Sequence, residues 1–195
     1  MKDLLNAVRG EIAQYGYRKT RSSFWKIEDG FYKLIHFQHG AYGDYFFINM
    51  GLHPVGLPSL VPGRLEFLER PREHECVIRR RLEEIAPTEM FRKSLAPIHD
   101  PNTVQEIAAS LPAVERWLDL WGSYDAIAGK DFSELSPMMP IAPILWRKAY
   151  DLLECYCMVK LGDLPRAGEF YQAYLSENRE MDFSPVDRYM EALLR

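Results

Sequence analysis

The sequence predicts an α+β fold: an N-terminal helix packed on an antiparallel β-meander of four or more strands, followed by a mostly helical C-terminal half. Residues 24–28, 31–38 and 45–52 form three successive aromatic and β-branched runs, the composition expected of strands. Only short breaks divide them, Asp29-Gly30 and the stretch 40–44. Short links force antiparallel neighbours, because a parallel crossover needs roughly a dozen residues. From Asn102 onward the apolar residues recur at helical spacing instead.

Each element has a local reason. Leu4, Leu5, Val8, Ile12 and Tyr15 share a helical stripe, and Gly16 stands where a left-handed C-terminal cap is expected. A helix over residues 3–15 follows, and 16–19 turn the chain into the first strand. Asp29-Gly30 suits a two-residue hairpin turn, since both positions need positive φ. After Leu52, Pro54, Gly56, Pro58, Pro62 and Gly63 exclude ladder pairing and predict an excursion over the surface. Loops of such length are often functional. Residues 75–85 alternate Cys76, Ile78, Arg80 and Leu82 against Val77, Arg79 and Arg81. That pattern fits a fourth strand, although the run Arg-Arg-Arg-Leu-Glu-Glu-Ile also suits a helix.

Farther on, Thr103 with Glu106 makes a capping box for a helix beginning at Val104, and Pro112 reads as a restart in a first-turn position. Val114, Trp117, Leu118 and Trp121 form its apolar stripe, and Ser123 caps a short turn that ends at Gly129. Pro137, Pro140 and Pro143 predict a rigid linker. Residues 145–161 form a helix that is apolar on most sides, stopped by Gly162-Asp163. Pro165 starts the next helix, so the two make a lone helical hairpin of tetratricopeptide type rather than an array. Ser184-Pro185 reads as N-cap and first helical position of a last amphipathic helix. The organisation is a domain over residues 1–130 with a helical extension over 131–195 packed on it.

The strand period divides the meander into two faces. Lys33, Ile35 and Phe37 share one, and Tyr32, Leu34, His36 and Gln38 share the other. In the next strand Phe46, Ile48, Met50 and Leu52 oppose Tyr45, Phe47 and Asn49. A sheet with one wet face alternates cleanly between apolar and polar residues, and this one does not. Helices are expected over one face. The other, lined by aromatics, amides and a histidine, is either a semi-polar interior or a binding surface.

Composition removes several function classes. The chain has 195 residues, 47% of them hydrophobic and 27% charged, which is ordinary for a globular protein. Its net charge of −4 carries no long single-sign run, so neither nucleic acid nor an anionic membrane is an expected partner. No apolar run approaches the roughly 20 residues of a membrane span, and no signal peptide precedes the first amphipathic pattern. Cys76, Cys155 and Cys157 make an odd count without scaffold spacing, so a reducing cytoplasm is the expected compartment. The triple arginine 79–81 invites a polyanion reading. Over residues 64–93, however, eight basic residues face seven acidic ones, which predicts a salt-bridged, solvated surface instead.

A family resemblance rests on particular residues. A helix ending in Gly16-Tyr17-Arg18-Lys19 precedes Ser23-Phe24-Trp25-Lys26, then 34–39 (Leu-Ile-His-Phe-Gln-His) and 47–52 (Phe-Ile-Asn-Met-Gly-Leu). Glu75-Cys76, Arg79 and Arg81 follow, and then a Glu106-Ile107 helix leading to Trp121 and Ser123. The set resembles the bacterial domain-of-unknown-function family 4304 over about the first two thirds of the chain. Its most specific pieces are the Gln38 strand end and Asn49-x-Gly51, while Gly16-Tyr17 stands where Gly-Phe is expected. The family brings no established activity. The resemblance implies a small interaction protein, with immunity to bacterial toxins as an association by analogy.

Chemistry-bearing motifs are sparse. His36, His39 and His53 are the clustered histidines, but a spacing of three puts His36 and His39 on opposite faces of a strand. A hydrolytic set would need Asp44, His36 and Ser22 or Ser23, without a nucleophile elbow, and no phosphate loop, dinucleotide fingerprint or zinc helix occurs. Cys155 and Cys157 point about 200° apart on a helix and read as structural thiols. No catalytic set, metal site or cofactor is therefore assigned. The candidate binding residues are Tyr32, His36, Gln38, Asn49, Arg79 and Arg81, facing another protein or a second copy of the chain. The alternative is an enzyme of unrecognised mechanism whose pocket is lined by His36, Gln38 and Asn49.

Overall fold

A computed structural model describes residues 1–41, 45–86, 96–97, 100–141, 143–177 and 181–195. Its centre is the expected antiparallel meander. Strands β1 (Arg18–Thr20), β2 (Ser23–Glu28), β3 (Phe31–His39), β4 (Tyr45–Pro54) and β5 (Ile78–Arg81) follow one another across the sheet. A short β6 (Ala96–Pro97) pairs with the start of β4, beside Tyr45 and Phe46. Asp29 and Gly30 take φ of 51° and 79°, as the hairpin between β2 and β3 requires. Strand β1 went unforeseen. It is a three-residue polar edge turned back by Arg21, whose φ is 54°.

The β3–β4 register sets Lys33 opposite Leu52, Ile35 opposite Met50 and Phe37 opposite Ile48. That face is dry. It is covered by α1 (Lys2–Ala7) and α2 (Arg9–Ala13), which break the expected single helix at Val8, and by α4 (Thr103–Trp121). Phe24, Phe37 and Phe46 form an aromatic row with centroids 5.8 and 6.0 Å apart, closed from above by Ile12, Ile107, Leu111 and Leu118. A buried cation crosses this interface: Lys33 Nζ donates to Glu28 at 2.6 Å and Asp119 at 2.7 Å. Beside it, Lys26 pairs with Glu115, which also accepts from the Tyr17 hydroxyl.

Several boundaries differ from the sequence reading. Residues 75–85 divide into β5 and a one-turn α3 (Leu82–Ile85), so strand and helix each hold for part of the segment. Pro112 does not restart α4 but lies inside it. Proline removes one backbone donor, and the buried stripe Ile107, Leu111, Val114 and Leu118 spans the defect and holds both sides to the sheet. The helix begins at Thr103 with Asn102 as its N-cap, one residue earlier than the capping-box reading. Ser123 does cap α5 (Tyr124–Ile127), accepting from Ala126 N at 3.2 Å.

A short α6 (Phe132–Leu135) and two 3-10 turns then lead to the hairpin of α7 (Trp146–Leu161) and α8 (Leu164–Ser176). Gly162 takes φ of 79° and Asp163 caps α8, as their sequence signals require. The last helix, α9 (Ser184–Leu193), starts at Ser184 itself, so Phe183 rather than Ser184 is its N-cap. Helix α7 is buried almost all round from Lys148 to Met158 and shares one apolar core with the sheet. Among the described residues no helix is long and apolar enough to cross a membrane.

Candidate functional site

The second sheet face carries the polar residues, and the pairing register arranges them in rows. Ser23, His36, Asn49 and Arg81 lie side by side across β2, β3, β4 and β5. Trp25, Leu34, Gly51 and Arg79 form the neighbouring row, and Ile27, Tyr32 and His53 the next. All six candidate binding residues therefore share one face, as the period of two requires. His39 lies on the opposite face, paired with Phe46.

The excursion after β4 does not stay on the surface. It folds back over this face and buries Leu57, Glu73 and Cys76. Gly51 makes the crossing close: a Cβ there would stand 2.6 Å from Cys76 Sγ. The physical reason is apolar content among the prolines. Leu57 joins the core cluster and Cys76 stands against Gly51 of β4, so both are removed from water.

The folded-back segment divides the face. One part opens into a cleft of about 560 Å³, walled by β1 to β3 on one side and residues 70–74 on the other. Trp25, Tyr32 and His36 line it, with Arg21, Arg70 and Arg72 beside them. His36 Nδ1 and Ser23 Oγ are hydrogen-bonded at 2.9 Å. Burial pushes the His36 imidazole below its usual value, and the nearby Glu73 charge pulls the other way. A carboxylate hydrogen bond to the His36 ring, the third member of a hydrolytic set, is absent among the described residues. Asp44, the sequence candidate for that role, lies outside them.

The other part is a recess of about 150 Å³, lined by Asn49, Arg79, Arg80 and Arg81 with Glu73 and Glu84. Asn49 is 2% exposed and donates to Gln38 Oε1 at 2.9 Å, so Gln38 is the reachable member of that pair. His36 and Asn49 are cross-strand neighbours that line different hollows. Each of the three consecutive arginines has its own carboxylate: Arg79 pairs with Glu73, Arg80 with Glu84 at 3.0 Å, and Arg81 with Glu83 at 3.7 Å. Arg81 also covers the Phe47 ring at 4.8 Å. The salt-bridged reading of this run is thus the observed one.

Charge elsewhere on the face is unbalanced. Arg21, Arg70 and Arg72 form no ion pair among the described residues, and Arg70 lies 5.9 Å from the Trp25 ring centroid. The single carboxylate among the residues lining the cleft, Glu73, is engaged by Arg79. Sequence reasoning missed these arginines, because nothing in the local run Glu-Arg-Pro-Arg-Glu marks two of them as neighbours of Arg21. Trp25 was legible, since the hairpin register places it opposite Leu34. Among the described residues, no group of three or more His, Cys, Asp or Glu side chains could hold a metal ion.

In comparison with curated proteins and with solved structures, nothing matches this chain. A family model does match, over residues 8–119, which takes in the whole strand path from β1 to β5 and ends inside α4. By that match the chain belongs to the family described as domain of unknown function DUF4304.

Proposed function

We propose that this protein is a non-catalytic interaction module of the bacterial cytoplasm that takes an acidic segment of another protein into the cleft between β1–β3 and residues 70–74. The observation that carries the reading is the set of three arginines, Arg21, Arg70 and Arg72, which form no ion pair among the described residues, around a cleft lined by Trp25, Tyr32 and His36. Cationic and aromatic side chains at one concave site are the composition of interaction hot spots. In a chain whose net charge is −4, this local excess of positive charge discriminates among partners by steering acidic ones toward it. The neutral His36 ring and Ser23 supply uncharged hydrogen-bonding groups beside those cations. A toxin bearing such a segment is the partner class that the family resemblance implies. Three buried, unpaired cysteines suit a reducing compartment.

Affinity capture from a native lysate tests this with two controls. The wild-type chain should retain a stoichiometric second protein whose binding weakens as salt rises. Arg70→Glu with Arg72→Glu should cut that binding by about tenfold or more while leaving the circular dichroism spectrum unchanged. Retention that is indifferent to the charge reversal would overturn the reading. So would recovery of a homodimer alone on sizing, which would make the face a self-interface.

A further inference from the structure

The arginine-rimmed cleft has a half-buried histidine, His36 on β3, in its lining. The imidazole is held on one side only. Its Nδ1 is hydrogen-bonded to Ser23 Oγ at 2.9 Å. Its Nε2 has no hydrogen-bond partner among the described residues and is not sealed from water. A hydroxyl both donates and accepts, so Ser23 can donate to Nδ1 of a neutral ring and accept from a charged one. The Ser23–His36 pair is therefore satisfied in either protonation state, and in both of them Nε2 carries a hydrogen.

The charges around the ring decide which state it takes. Arg21 faces it from the turn into β2, and Arg70, Arg72, Glu73 and His74 face it from the returning segment. Asn49, its neighbour on β4, is uncharged, and Arg79 and Arg81 follow on β5. Glu73, the carboxylate of this set, is engaged by Arg79. Burial pushes the imidazole below its usual value; Glu73 pulls it up, while His74 and Arg79 push it farther down. In the empty cleft near neutral pH the ring is thus uncharged. A second carboxylate at Nε2 would supply the counter-charge that this surround lacks, and an opposite charge at that range favours the protonated form.

We propose that His36 makes the cleft proton-sensitive: a carboxylate of the acidic segment accepts a hydrogen bond from Nε2, the ring takes up one proton from solvent, and binding tightens in mildly acidic conditions. This rests on the acidic-segment reading of the cleft and adds its regulation. The sign follows from linkage. A ligand that raises a group's pKa is bound together with a proton, so affinity climbs as pH falls through the value of the occupied ring. It levels below the value of the empty one. His36 then discriminates by compartment or metabolic state as well as by sequence, which the arginines, charged at every such pH, do not.

Titration calorimetry of the full chain with a hexa-aspartate peptide tests this at pH 7.5, 6.5 and 5.5 and one ionic strength. Aspartates stay ionised throughout, since their pKa is about 3.9. Affinity should rise about fivefold or more from pH 7.5 to 5.5, within the tenfold allowed for each pH unit by which the ligand raises the ring. Buffers of different ionisation enthalpy should report proton uptake on binding. His36→Gln should lose this gain, and His74→Gln should keep it. Should His36→Gln fail to fold, an NMR titration of the wild-type imidazole gives the same answer: saturating peptide should move its midpoint up by about 0.7 pH or more, the same fivefold expressed as a pKa. Affinity that ignores pH yet is lost in Arg70→Glu with Arg72→Glu would overturn this proposal and leave the acidic-segment reading standing. A gain that survives in His36→Gln, or an unmoved midpoint, would do the same. No binding at any pH, or binding indifferent to the charge reversal, would overturn both.

Discussion

Replacing Lys33 with methionine should leave stability within about 1 kcal/mol of wild type, whereas disarming its two carboxylates should cost more. The Lys33 side chain is 1% exposed, while those of Glu28 and Asp119 are 44% and 62% exposed. The interaction is therefore lopsided, with a buried cation held by two carboxylates that keep most of their water. Burial pushes the Lys33 ammonium toward neutrality, but hydrogen bonds to Asp119 and Glu28 outweigh it and keep the group charged. Lys33→Met removes the buried charge and leaves behind only hydrated ones, and a hydrophobic replacement of that kind is commonly neutral or stabilising. Glu28→Gln with Asp119→Asn does the reverse and leaves an ammonium without a counter-charge in the α4–sheet interface. Breaking a fully buried pair costs about 3–5 kcal/mol. Exposure of the partners lowers that to about 2–3 kcal/mol here, because water reaches the pair from their side. For a chain of this length, 2–3 kcal/mol is roughly 4–12 °C in Tm. Urea denaturation followed by circular dichroism, with thermal scans on the same three proteins, measures the order. If Lys33→Met lost as much stability as the double amide variant, the lysine would be contributing attraction rather than a tolerated charge, and this reasoning would be wrong.

Two further predictions come from other buried groups. Burial raises the Glu154 carboxyl to about 7, against backbone hydrogen bonds from Gly129, at 2.8 Å, and Lys130 and the charge of Arg166, and burial raises Asp151 to about 6. A raised carboxyl means that the folded chain holds its proton more tightly than the unfolded one. Stability should therefore fall as pH rises from about 4.5 to about 7, then level. Glu154→Gln should flatten that slope and gain on the order of 2 kcal/mol at pH 8 while changing little at pH 4. Denaturation midpoints measured across this range decide it, and an unchanged slope would remove Glu154 as the cause. Gly51→Ala should cost about 1–3 kcal/mol, because the new methyl meets Cys76 Sγ at 2.6 Å and Cys76 Cβ at 2.9 Å. Adding Cys76→Gly should recover part of that loss, and a chemical-denaturation cycle that proved additive would mean the two residues do not collide.

Much of the fold was legible because it depends on local chemistry. Positive φ at Asp29 and Gly30 fixes the hairpin, the hairpin fixes the register, and a period of two then assigns every residue of β2, β3 and β4 to a face. The helix stop at Gly162 was visible for the same reason, and Gly16 also takes positive φ although α2 ends two residues short of the expected Tyr15, at Ala13. What escaped was tertiary. Strand β1 is three polar residues whose only reason to be extended is the edge of β2. Continuity of α4 through Pro112 depends on a buried stripe that the sheet provides, and no local signal announces it. The excursion after β4 looked like surface because its prolines forbid pairing. Forbidding pairing does not forbid packing, and Leu57 and Cys76 pack.

The same distinction explains the candidate site. Arg79, Arg80 and Arg81 were correctly discounted as a polyanion site because acidic residues near in sequence can neutralise them: Glu84 pairs with Arg80, Glu83 with Arg81 and Glu73 with Arg79, all within six residues. Arg21, Arg70 and Arg72 could not be weighed that way. They are about fifty residues apart, and only the return of the excursion over β1–β3 brings them to one cleft. A net charge of −4 averages over that arrangement and conceals it. Local composition therefore judged the compact arginine run well and was blind to the dispersed one. The dispersed one is the set without ion pairs among the described residues, and an exposed cation with no carboxylate beside it keeps its charge for a ligand, whereas one already in a surface pair must first give up roughly 0.2–1 kcal/mol.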